Sequence, residues 1–175
     1  MARAREDILA QLRTALGRRE GDGAPERADE RIARHPANLM PARGQIPHAA
    51  QIELFIDMAE RTEATVVHVG SGDEVPAAVA EYLAERNLPT DVAMAPDPRL
   101  DALPWRDQPL LSLRRGRAEE TDEVGLTGAF AAIAETGTLM MTSGAERPTA
   151  LNFLPENHIV VLNADQMTGT YEEAW

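Results

Sequence analysis

Residues 64–95 read ATVVHVGSGDEVPAAVAEYLAERNLPTDVAMA, and how they are read decides the fold. ATVVHV (64–69) is a compact β-branched run, the composition of a buried strand. Gly70-Ser71-Gly72-Asp73 turns the chain. VPAAVAEYLAERN (75–87) then sets Val75, Val79, Tyr82 and Leu83 at helical spacing, which predicts a helix with those side chains inward. DVAMA (91–95) is the next strand. Strand, helix and strand in this order predict a right-handed parallel crossover, the repeating unit of an α/β sheet.

Elements on either side extend this unit. Downstream, strands are predicted at LLSL (110–113), VGLTGA (124–129), TLMMTS (138–143) and HIVVLN (158–163), the last three joined by turns rather than full helices. TGTYEEAW (168–175) opens a helix with Thr168 or Thr170 as its cap. Upstream, Pro47 opens a helix over 48–62 whose buried stripe is Ile52, Phe55, Ile56 and Ala59. HPANLMPARGQIPHAA (35–50) carries three prolines and is expected to run extended over the surface before that helix. Ile8, Leu9, Leu12 and Leu16 mark an amphipathic helix over 4–18, and GRREGDGAPERADERIAR (17–34) reads as a polar linker. The expected organisation is an N-terminal helix and flexible linker (1–34) followed by an α/β domain (35–175). The expected fold class is α/β, Rossmann-like, with a mainly parallel twisted sheet flanked by helices and an N-terminal helical arm.

Composition narrows the chemistry. The 175 residues carry a formal charge of -12, which argues against non-specific nucleic-acid binding, where neutralised phosphates supply the affinity. Residues 1–43 hold nine arginines and seven acids; the remainder holds eight arginines and 22 acids. There is no cysteine, so this chain supplies no disulfide, no thiolate nucleophile and no cysteine-held iron–sulfur cluster. There is no lysine either, all 17 basic residues being arginine, which excludes a Schiff base and a Walker-type phosphate lysine. Residues 1–20 lack the apolar run of a secretory signal and no stretch approaches a membrane span, so a cytoplasmic location is expected.

Several motifs carry little chemistry. His35, His48, His68 and His158 never fall at paired ligand spacing, so no metal site is expected. Ser71 and Ser143 sit beside glycine at strand ends but lack a nucleophile elbow. Gly70-Ser71-Gly72 opens a helix where backbone N–H groups can hold an anion, yet Asp73 and Glu74 already supply negative charge there. AIAETGTLMMTSGAERPT (132–149) is more informative, because it sets a lone acid, Glu135, in a glycine turn between two apolar runs. Ligands bind at strand ends on one edge of an α/β sheet. Loops 70–73, 128–137 and 143–149 are expected to gather there. The candidate catalytic group is Glu135. The candidate ligand-binding residues are Thr127, Thr136, Gly137, Thr138, Ser143, Arg147 and Asn152, with Thr149 beside them. Glycine permits close backbone approach, and arginine grips carboxylate or phosphate through two bonds. The plainer readings are that Glu135 ties down its own turn and that Arg147 pairs with Glu146 or Glu156 in solvent.

Over VGLTGAFAAIAETGTLMMTSGAERPTALNFLPENHIVVLN (124–163) the sequence resembles the lactate-utilisation protein C family, also called the LUD domain. The matching elements are GLTGA, AIAETGTL and LPENHIVV, in that order. The resemblance implies a fold like the sugar-phosphate isomerase and CoA-transferase superfamily. It also implies a role beside two iron–sulfur partner proteins in oxidising L-lactate to pyruvate. This chain would then be an accessory subunit with no cofactor of its own, the clusters belonging to its partners, with at most a small anionic ligand. Carried over by position, Glu135-Thr136-Gly137-Thr138 is the best candidate for the pocket. The family normally continues into a G-P-S-x-x-x-D-I-E segment and a late H-G-P motif, neither of which occurs before Trp175; a C-terminal segment is expected to be missing. Two other functions stay open, the first resting on analogy with the fold that the resemblance implies. One is a stand-alone enzyme on a phosphosugar, folate-like or acyl-CoA substrate with Glu135 as catalytic carboxylate. The other is a scaffolding domain.

Overall fold

The computed structural model describes residues 2–17, 24–34 and 39–175. It divides into two units, Met1–Leu39 and Met40–Trp175.

The first unit holds α1 (Ala2–Ala15) and α2 (Ala24–Arg34). Ile8, Leu9, Leu12 and Leu16 lie exposed on and just beyond α1. α2 corrects part of the expected linker. The stretch is polar, yet Ala, Glu and Arg are strong helix formers, and Glu30 and Arg34 pair one turn apart. Residues 18–23 and 35–38, where the rest of the linker and the start of the surface run were expected, lie outside the described residues.

In the second unit α3 (His48–Glu60) starts directly after Pro47 and buries Phe55 and Ala59. A 3-10 turn at Gly72–Glu74 leads into α4 (Val75–Glu85), which buries Pro76, Val79 and Leu83. Strands β1 (Asp91–Met94), β2 (Ser112–Arg115), β3 (Val124–Gly128) and β6 (Asn157–Val161) form one sheet in the order β2-β1-β3-β6. All its pairings are parallel. The short α5 (Pro98–Asp101) follows β1. A second sheet, ordered β5-β4-β7, joins β4 (Ala131–Ile133), β5 (Thr138–Met140) and β7 (Met167–Thr168). There β4 pairs antiparallel with β5 and parallel with β7. The fold is α/β and Rossmann-like, with helices flanking a mainly parallel sheet.

Each sheet has its own core. Val79 and Leu83 of α4 pack with Val92, Met94, Leu126, Leu151 and Trp105. The Trp105 indole N–H is satisfied by the Leu100 carbonyl at 2.7 Å. Phe55 and Ala59 of α3 pack with Ala132, Ala134 and Met167. The chain closes with α6 (Tyr171–Ala174), where Glu173 reaches back to accept the backbone N–H groups of Gly169 and Thr170. Thr170 is therefore the cap position.

One expectation fails outright. Residues 64–69 form no strand and are mostly exposed. The β-branched composition is there, but a strand needs a partner for its backbone N–H and C=O groups. Between 64–69 and β6 lies a groove of about 520 Å³ lined by both. Among the described residues the outer edge of β6 is unpaired as well, since β6 ends the sheet order. The right-handed crossover expected from 64–69 to β1 therefore does not exist. The parallel connections instead run from β1 to β2, β2 to β3 and β3 to β6.

Candidate functional site

The turn that holds Glu135 joins β4 to β5, with Ile133 opposite Thr138. Gly137 takes a positive φ of 66°. A β-carbon at Gly137 would press on the α3 backbone, 2.7 Å from the Ala59 nitrogen. Only glycine makes both the left-handed turn and the close approach to α3. The turn thus seats Glu135 rather than merely reversing the chain.

Glu135 is buried, its side chain 4% exposed, and its carboxylate accepts from Arg43 Nε at 3.1 Å. Its backbone N–H donates to the Gly169 carbonyl at 3.1 Å. Gly169 in turn crosses Gly44 so closely that a β-carbon on either would overlap the other's backbone. This crossing brings Arg43, 92 residues upstream, to the acid. Beside it, Thr136 and Thr138 hydroxyls lie 2.9 Å apart, and both meet the Tyr171 hydroxyl, at 3.4 and 2.9 Å. The bond from Thr136, and then that with Thr138, lowers the Tyr171 pKa below its ordinary value.

Arg147 belongs to a different cluster. Its Nη1 donates to Thr142 Oγ1 at 2.8 Å and its Nε to Asp97 Oδ2 at 3.4 Å; Glu146 and Glu156 are not its partners. Asp97, 1% exposed, caps α5 through the Arg99 N–H. It also receives Arg99 Nη2 at 2.7 Å, and Arg99 Nη2 reaches the Ala129 carbonyl at 3.3 Å. Gly128 leaves room for this: a β-carbon there would lie 3.1 Å from Arg99 Nη2. The Arg99 side chain holds the Asp97 carboxyl down at about 2, with burial opposing and Arg147 assisting. Arg99 is correspondingly raised. This hub stands where the sheet changes direction, since β2 and β3 flank β1 on opposite sides. The carboxyl ends of β1 and β3 meet there, the usual crevice for a ligand in an open α/β sheet.

A recess of about 190 Å³ opens at this point, lined by Arg99, Gly128, Gly70–Gly72, Asn163 and Gln166 among polar and glycine residues. Loop 70–72 and Gly128 line this recess; Arg147 does not, and connects to it only through its bond to Asp97. Glu135 does not join them: neither this recess nor the larger groove is lined by it. Thr127, buried in β3, meets His158 Nε2 at 2.7 Å, and burial lowers the His158 pKa, leaving a neutral ring at pH 7. Gly137 lines the larger groove. Ser143 and Thr149 are exposed and Asn152 half-buried. Sequence reasoning missed Arg43, Asp97, Arg99 and Tyr171. Asp97-Pro98-Arg99 carried a usable signal, a capping acid and a proline opening a helix straight after a strand.

Residues 52–175 match the family model of the LUD domain. The chain belongs to the LUD domain family. It is also 33% identical over 138 residues to a lactate utilization protein C of Deinococcus radiodurans, covering 76% of this chain and 62% of the relative. The chain thus spans less than two thirds of that relative's length. No solved structure matches it. Among the described residues no helix is long and apolar enough to cross a membrane.

Proposed function

We propose that this LUD domain serves L-lactate utilisation as an accessory, cluster-free cytoplasmic subunit, alongside iron–sulfur proteins that oxidise L-lactate to pyruvate. The observation that carries this reading is the relative's identity as a lactate utilization protein C over three quarters of the chain. The chain's own chemistry agrees with it. With no cysteine anywhere, electrons pass through partners, and what remains here is a polar, arginine-bearing crevice suited to a small anion.

Growth on L-lactate tests the reading. Deleting the gene abolishes growth on L-lactate but not on glucose, and the wild-type chain restores it. Undiminished growth of the deletion strain on L-lactate refutes the proposal.

A stand-alone enzyme on a phosphosugar, folate-like or acyl-CoA substrate is the second reading, and the buried Glu135 beside Arg43 and Tyr171 favours it. A buried carboxylate with a cationic partner has the make-up of a general base or a nucleophile. Its lining neither recess weighs against it. Turnover of a phosphosugar, folate-like or acyl-CoA substrate by the purified chain, lost in Glu135→Gln at unchanged stability, supports this second reading. No turnover by the wild-type chain removes it.

A further inference from the structure

The geometry points to the crevice at the carboxyl ends of β1 and β3 as a binding site for a small monocarboxylate, with Arg99 as its anchor. The inference stands on hydrogen-bond capacity, charge and size. It deepens the lactate reading, on which the choice of L-lactate and pyruvate as probes rests.

Capacity comes first. A guanidinium has five N–H donors in a fixed fork. Arg99 commits Nε and Nη2 to the Asp97 carboxylate and to the Ala129 carbonyl. Its Nη1 has no partner among the described residues, and Arg99 lines the recess. The salt bridge to Asp97 thus does two things: it fixes the fork and leaves two N–H donors unspent. A guanidinium held this way loses little further freedom when a ligand arrives. The Ser71 hydroxyl lines the same recess and has no side-chain hydrogen bond among the described residues; Asn163 lines it too, its side-chain oxygen taken by the Gln166 N–H in a capping box and its amide N–H donors left over. Gln166 does not offer its amide, since Nε2 serves the Ala129 and Phe130 carbonyls and Oε1 accepts the Asn163 N–H.

Charge selects the anion. Two guanidiniums, Arg99 and Arg147, share one buried carboxylate, Asp97, leaving one net positive charge. Asp165 lies close enough to act on Arg99, and Glu74 holds the Gly70 N–H at the rim. With these two acids counted, the surroundings hold no positive charge to spare, so an anion is held by directed N–H donors, and a monoanion meets less repulsion there than a phosphate dianion. Size agrees: about 190 Å³ falls below the ~300–1,000 Å³ of sites for drug-sized ligands. The remaining wall is aliphatic, from Val69, Leu100, Leu103 and Val161. The fitting occupant has a carboxylate at Arg99, a short aliphatic body against these side chains, and a hydroxyl or keto oxygen for Ser71 or Asn163.

The test is calorimetric titration of the purified 175-residue chain with L-lactate, pyruvate and acetate, and separately with inorganic phosphate. Saturable binding of L-lactate or pyruvate is expected, tighter than that of phosphate and of acetate, which lacks the second oxygen. Arg99→Lys keeps a cation beside Asp97 while removing the free N–H fork, and is expected to weaken binding at least tenfold when titrated well below the variant's own melting transition. Ser71→Phe, at the exposed rim, is expected to block the recess without disturbing the ion pairs. Arg61→Gln, on the far end of α3, leaves affinity unchanged. Any of three results overturns the site: no saturable monocarboxylate binding, phosphate binding tighter than both acids, or Arg99→Lys and Ser71→Phe both binding as wild type does. The titration reads the isolated chain and the growth experiment reads the cell, so failure of one is distinguishable from failure of the other.

Discussion

Asp97→Asn isolates the electrostatics of the hub. The substitution keeps the side chain's shape and its capping oxygen but removes the charge that Arg99 and Arg147 share. In the folded chain the Asp97 pKa falls from 3.8 to about 2, and each pKa unit corresponds to about 1.4 kcal/mol. The ionised form therefore contributes about 2 kcal/mol to folding at neutral pH. Because the folded pKa is depressed, that contribution is complete above the unfolded pKa near 4. It falls to about 1 kcal/mol near pH 3 and vanishes as pH drops through about 2. Urea unfolding of wild type and variant at pH 7, 5, 3 and 2 measures it directly. The difference in unfolding free energy is expected to hold steady from pH 7 to 5, to halve near pH 3 and to approach a small constant near pH 2. Other carboxylates titrate in both proteins and cancel in the difference. A gap that stays the same at pH 3 as at pH 7 refutes the reasoning, for it would mean the charge contributes nothing and only the cap matters.

Two further expectations concern the rest of the fold. Gly169→Ala drives a methyl into the Gly44 carbonyl and lowers the unfolding free energy by about 3 kcal/mol or more; Gly144→Ala, whose methyl would meet nothing, stays within about 0.5 kcal/mol, both read by urea denaturation. His158 is held neutral by burial, so its folded pKa lies below the unfolded value near 6.5; stability falls as pH drops below that value, and thermal melts of His158→Gln from pH 7.5 to 5 show a flatter dependence.

The elements that could be read in the sequence were those whose local signal agreed with their tertiary setting. α3 after Pro47, α4 with its Val79–Leu83 face, and β1, β3 and β6 all fall where periodicity predicts them. ATVVHV failed because β propensity describes a side-chain preference, whereas a strand also requires a neighbour. β4 escaped notice because Ala131-Ala132-Ile133 is short and alanine-rich, and its pairing with β5 and β7 decides its state. α2 was hidden by polarity, which marks exposure rather than irregular structure. At the site, Glu135 and Arg147 were visible as charged residues among glycines. Their partners were not: Arg43 lies 92 residues before Glu135 and Asp97 50 residues before Arg147. Long-range pairs of this kind are set by chain crossings, such as that of Gly44 and Gly169, and spacing alone carries no trace of them.

The two borders of the four-stranded sheet are unequally guarded. β2 carries Arg114 and Arg115, each engaged with acids, and charges of this kind deter strand-to-strand stacking between molecules. β6, Asn157-His158-Ile159-Val160-Val161, carries no charge within the strand, the nearest being Glu156 just before it, and the chain owns no lysine. The 175 residues carry a surplus of 12 negative charges, whose diffuse mutual repulsion opposes such stacking between copies instead. Such repulsion is screened beyond about 10 Å at 0.1 M salt, whereas backbone pairing along a bare border is not, so the colloidal stability of the domain declines as ionic strength rises.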